Sequence, residues 1–77
     1  MTGRRYQLCA HDGRMPLSED GLRALGLAPG VSIGERELRS RADRLPSRSL
    51  REALHAMLDQ EQPGVELVVR PWPEEEV

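Results

Sequence analysis

The sequence predicts a small α+β domain with an N-terminal strand and hairpin turn, three helices, and a closing strand. Three observations lead there. Apolar residues alternate near both ends, a leucine-rich stripe at helical spacing runs over residues 50–58, and turn or capping residues separate the segments. At 77 residues there is room for one core. A hydrophobic content of 38% and a charged content of 31% fit a globular chain rather than a disordered one. Residues 1–72 are expected to form one compact domain and 73–77 a flexible acidic tail. Tyr6 and Trp72 are the sole aromatic residues, so the core must be aliphatic.

In residues 4–11, Tyr6, Leu8 and Ala10 alternate with Gln7, Cys9 and His11, the pattern of a strand with one buried face. Asp12-Gly13 favours a tight hairpin turn. A return strand over residues 14–17 would lie at a sheet edge, because Pro16 cannot donate to a ladder. Ser18 has the character of a helix N-cap, with Glu19 and Asp20 in the first turn and Leu17 and Leu22 at staple positions. Gly26 should end this short helix in a left-handed conformation and turn Leu27 back onto Leu22. Val31 and Ile33 suggest a brief extended segment. Ser32 and Glu35 have capping-box spacing for a second helix reaching about Arg44, with Leu38, Ala42 and Leu45 on its apolar side. Pro46 interrupts. A third helix over about 47–61 places Leu50, Ala53, Leu54, Met57 and Leu58 inward. Pro63-Gly64 stops it, and residues 65–70 read as a strand with Val65, Leu67 and Val69 facing the core. The first and last strands should pair, in either direction.

All eleven basic residues are arginine, a bias we read mainly as genomic. The formal net charge is −2; without Glu74, Glu75 and Glu76 it becomes +1, so the body is near neutral, with arginine concentrated between Arg36 and Arg51. The lone cysteine, Cys9, excludes an internal disulfide and suits a reducing compartment. No apolar run approaches the ~20 residues of a membrane span, and no apolar stretch follows Arg4-Arg5 as a secretory signal would require. A cytoplasmic location and no membrane partner are therefore expected.

The run Glu35-Arg36-Glu37-Leu38, then Arg41, then Leu50-Arg51-Glu52-Ala53-Leu54 resembles the winged helix-turn-helix of GntR-like transcriptional regulators. The likeness covers about 35 residues, from the extended segment at Val31 through two helices to the strand at Val65. It departs in two ways: the turn between the helices is one residue longer and holds Pro46, and the second wing strand is missing unless the N-terminal strand replaces it. It implies a winged-helix-like fold, DNA as the partner, and a third helix in the major groove with Arg48, Ser49, Arg51, Glu52 and His55 outward. Arginine reads guanine edges and grips phosphates, and Arg39, Arg41 and Arg44 on the second helix would touch the DNA backbone. A homodimer would bind two half-sites. The alternative for the same arginines is a solvated face interleaved with Glu35, Glu37, Asp43 and Glu52 at pairing distance.

A second likeness joins Gly13-Arg14-Met15 to residues 22–30, which end Leu-Gly-Leu-Ala-Pro-Gly. That string resembles the AbrB-type swapped-hairpin DNA-binding module, although Ser18 stands where a proline is usual and the helix register is shifted. A plain helix C-cap followed by a turn also accounts for it, and is the reading we favour.

Cys9, His11 and Asp12 do not reach the three or four matched ligands of a metal site, and the other histidine, His55, falls on a helix. No base or orienting group accompanies Cys9, and no glycine loop cradles phosphate. Neither a cofactor, a metal nor catalysis is expected. A function from another class is a small protein-binding adaptor or inhibitor that masks a larger complex, for example one encoded by a phage or mobile element. Trp72 between two prolines and the acidic tail would suit such docking; Trp72 as a cap on the core edge is the plainer role. DNA binding needs one continuous positive face, whereas an adaptor would present an apolar or acidic one.

Overall fold

The computed structural model describes residues 5–73. Arg4, expected to open the first strand, and the acidic tail from Glu74 onward lie outside the described residues. The elements are β1 (Arg5–Cys9), β2 (Arg14–Ser18), α1 (Glu19–Leu25), β3 (Ser32–Gly34), α2 (Glu35–Ala42), α3 (Arg48–Asp59) and β4 (Glu66–Pro71). The four strands form one antiparallel sheet in the order β2-β1-β4-β3. Two expectations change here. The hairpin forms, and the brief extended segment at Ile33 is a paired strand, so the sheet has four strands where two or three were expected. The first and last strands pair directly, and antiparallel, with Leu8 opposite Val69.

Local signals explain most of the element ends. The Ser18 hydroxyl accepts the Gly21 N–H at 3.0 Å, capping α1. Gly26, at φ 72°, ends α1 in the left-handed region, and the Leu27 N–H bonds the Leu22 carbonyl at 3.1 Å. The hairpin closes through the Ala10 N–H on the Gly13 carbonyl at 2.7 Å. Pro16 sits on edge strand β2, where a missing donor costs least. The Ser47 side chain caps α3 by accepting the Leu50 N–H.

The expected capping box at Ser32 and Glu35 does not form. Ser32 is drawn into β3 opposite Val68, and Gly34 is the N-cap of α2 without a side-chain bond. The Glu35 carboxylate is recruited by the Gly64 N–H instead.

The core is aliphatic. Leu8, Leu25, Leu38, Leu54, Leu58, Leu67 and Val69 are fully buried, joined by Tyr6, Leu17, Leu22, Ile33, Ala42 and Leu45. Strand alternation and register put Tyr6, Leu8, Leu17, Ile33, Leu67 and Val69 on one sheet face, which the three helices cover. Gly21 brings α1 close to α3: a Cβ there would lie 3.1 Å from a Leu17 methyl and 3.4 Å from a Leu50 methyl. Ala53, expected inward, is exposed; Leu54 and Leu58 centre the stripe, Leu50 and Met57 flank it, and Ala53 falls off its edge. Trp72 is exposed at 37%, and its N–H extends the sheet by bonding the Arg5 carbonyl. Gln7 is the buried polar residue: its Nε2 donates to the Pro71 carbonyl at 3.3 Å, while its Oε1 has no partner among the described residues. No helix among the described residues is long and apolar enough to cross a membrane.

Candidate functional site

The expected site residues all lie on α2, α3 and the turn between them, residues 43–47, but the arrangement divides them by role. Arg39 is the centre of a network joining both helices. Its Nε donates to Glu35 at 2.8 Å, one of its amino groups to Asp59 at 3.0 Å, and the other to His55 Nδ1 at 3.1 Å. Arginine has no acceptor, so His55 Nδ1 must accept, and its ring proton sits on Nε2, which donates to Asp43 at 2.9 Å. This chain of bonds spans from the first turn of α2, across α3, to the residue just past the end of α2. The Gly64 N–H and the Arg39 guanidinium together hold the Glu35 carboxyl below its ordinary range, and the Glu35 and Asp59 carboxylates raise Arg39 above its own.

Arg51 is half-buried and donates to the Leu45 carbonyl at 2.7 Å, closing the turn between the helices. On the sequence pattern, positions 48, 51, 52 and 55 of α3 should all face outward. Arg48 and Glu52 do; Arg51 and His55 lie half-buried at the flanks because the turn and α2 fold against them. Arg48 Nε pairs with Glu52 at 3.0 Å, with both side chains well exposed. Ser49 is exposed beside it, at the start of α3.

Arg41 donates from Nε to Glu37 and from one amino group to the carbonyls of both Leu25 and Gly26, each at 3.0 Å. It thereby bonds the C-terminal carbonyls of α1, where a cation also meets the negative end of the helix dipole. Next to it, Arg23, Ser40, Arg41 and Arg44 line a groove of about 340 Å³ between α1 and α2, with Glu37 on its wall. Arg44 makes no ion pair among the described residues, and Arg23 is held only loosely, at 3.9–4.0 Å, by Asp20 and Glu19. Arg23 was missed by sequence reasoning, since it is reached only through the packing of α1 on α2. The i,i+4 pairs Glu35–Arg39, Glu37–Arg41 and Arg48–Glu52 follow the spacing visible in the sequence.

Cys9 is half-buried at the end of β1, and His11 lies beyond it in the turn, 3.9 Å from Asp12 and exposed. Among the described residues no group of three His, Cys, Asp or Glu side chains is placed to hold a metal. No family model matches the chain, and no curated protein or solved structure matches it either.

Proposed function

We propose that the chain is a small regulatory binding protein whose partner is DNA, gripped by the end of α2 and the first turns of α3. The observation that carries this reading is the helix pair itself: α2 and α3 joined by residues 43–47, with Arg44, Arg48 and Ser49 exposed around the start of α3. The order α1-β3-α2-α3-β4 supports it as that of a winged helix, and β1 lies beside β4 where the family's second wing strand would stand. Arg44 and Arg48 are the best contacts. Among the described residues Arg44 has no acid to leave, and the exposed Arg48–Glu52 pair is worth at most about 1 kcal/mol, so a phosphate can replace the carboxylate. Arg41 would add its remaining donors from a fixed position, with Arg23 across the groove. Arg39, Arg51 and His55 act as positioning residues that set the angle between the helices.

Fluorescence anisotropy with random and genomic duplexes at about 50 and 200 mM salt tests this, because each phosphate contact adds close to one unit of log–log salt slope. Arg44→Ala/Arg48→Ala should lower affinity and flatten the slope, leaving the fold intact. Binding no tighter than high micromolar at low salt for every duplex would sink the DNA reading.

The second reading, a protein-binding adaptor, is favoured by one observation. Glu35, Glu37, Asp43, Glu52 and Asp59 engage arginine or histidine throughout this face, so its positive charge is broken up. A protein partner captured by the intact chain and lost on charge reversal at Arg44 and Arg48 would favour it.

A further inference from the structure

The groove between α1 and α2 is walled by Arg23, Arg41, Arg44 and Glu37, with Ser40 beside them. Arg41 is its fixed member. Its Nε donates to Glu37, and one amino group donates to the carbonyls of both Leu25 and Gly26. A guanidinium has five N–H donors, so the two on the other amino group are left without a partner among the described residues. Gly26 leaves room for this seat: a Cβ there would stand 3.3 Å from the Arg41 nitrogen that holds the carbonyls. Arg44 is exposed and makes no ion pair among the described residues, and Arg23 meets Glu19 and Asp20 only at 3.9–4.0 Å.

We propose that this groove binds the terminal phosphate of a small phosphorylated molecule. Charge sets the class of ligand. Three guanidiniums less one carboxylate leave an excess of +2 on the walls. A phosphate monoester carries about −1.5 to −2 near pH 7 and matches that excess; a lone carboxylate or a phosphodiester, with one charge, meets half of it. The donors fit as well, since the planar fork of arginine engages two phosphate oxygens at once. Arg41 is already immobilised by its three acceptors, so the cost of ordering falls on Arg23 and Arg44 alone. Ser40 adds a hydroxyl. The groove measures about 340 Å³, within the roughly 300–1,000 Å³ of small-molecule sites, so the phosphate can carry a substituent. Neither Tyr6 nor Trp72 lines it, so no aromatic ring stacks on that substituent and recognition rests on the phosphate itself. Arg44 is also a contact in the DNA reading, so a filled groove withdraws it from a duplex. That regulatory consequence rests on the DNA reading; the phosphate site does not.

Amide and arginine Nε–Hε NMR spectra of the full chain, recorded with inorganic phosphate slightly above neutral pH, test the site. Chloride at the same ionic strength is the baseline. Phosphate should move the signals of Arg23, Ser40, Arg41 and Arg44 and saturate in the millimolar range, and dimethyl phosphate, a singly charged diester, should bind more weakly. Arg23→Gln/Arg44→Gln should weaken phosphate binding about tenfold, because both exposed charges are lost. Arg14→Gln, on the edge strand β2, should leave it unchanged. Thermal melts confirm that each variant is folded. Shifts no larger than those with chloride would overturn the proposal, as would a double variant that responds like the natural chain or an equal response to the diester. Anisotropy with a labelled duplex, at constant ionic strength, separates the two readings. Phosphate should displace the duplex. Duplex binding without a phosphate response would sink the groove and leave the DNA reading standing; a phosphate response without duplex binding would support the groove and sink the DNA reading.

Discussion

The Glu35 carboxylate accepts the Gly64 N–H at 2.7 Å with one oxygen and the Arg39 guanidinium at 2.8 Å with the other, so a single side chain ties the first turn of α2 to the turn that leads into β4. Both bonds favour the charged form, and the carboxyl titrates below its ordinary value when folded. A group depressed in this way stabilises the fold above its unfolded pKa and loses that contribution as pH falls through the folded one. Glu35→Gln should therefore lower the melting temperature near neutral pH. The gap between the variant and the natural chain should close as pH falls below about 4. A gap that stays constant down to pH 3 would show that the bonds add nothing through the charge.

Leu54 has no exposed surface and lies between Leu50 and Leu58 on α3. Leu54→Ala should cost about 2–5 kcal/mol through lost burial and the cavity left behind. In a domain this small that approaches the whole stability, so the variant should melt far below the natural chain or not fold. Denaturant unfolding measures the difference.

Arg51 illustrates a positioning role. Its bond to the Leu45 carbonyl closes the turn between α2 and α3. Arg51→Ala should destabilise the domain by roughly 1 kcal/mol. Arg48→Ala removes only an exposed pair and should leave the melt nearly unchanged. Equal melts for the two variants would remove the distinction drawn between them.

Gln7 carries a buried oxygen without a partner among the described residues, an unfavourable state for an amide. Gln7→Met keeps the unbranched shape and removes the stranded acceptor, giving up only the long 3.3 Å bond to the Pro71 carbonyl. The variant should melt at the same temperature as the natural chain or higher. A clear drop would mean that the amide has a donor of its own.

What could be read from the chain was what neighbours in sequence decide. Ser18 and Gly26 announce the ends of α1 because capping is a local geometry, and Leu54 and Leu58 mark the core because one helical turn suffices to place them. The Glu35–Arg39 and Arg48–Glu52 pairs were legible for the same reason. Ser32 and Glu35 misled because strand pairing with Val68 and a donor at Gly64 competed for them from far along the chain. Nothing near Arg39 or Arg51 in the sequence signals Asp59 or the Leu45 carbonyl, so both read as free to reach DNA. The groove beside Arg23 was hidden likewise, since only the docking of α1 on α2 creates it.

The place of β4 between β1 and β3 has a consequence for how the chain folds. The sheet's two halves, the β1-β2 hairpin and β3, touch only through this last strand, and Gln7 and Pro71, bonded across the β1–β4 ladder, are 64 residues apart in sequence. During synthesis the hairpin and all three helices emerge while the strand that joins them is still unmade, leaving leucine-rich surfaces of α1, α2 and α3 without their sheet. Long loop closure before any reward slows such a step, so assembly should be late and concerted rather than gradual. A product ended before Glu66 would strand β1 and β3 without a common partner, and should be a substrate for proteolysis rather than a smaller working domain.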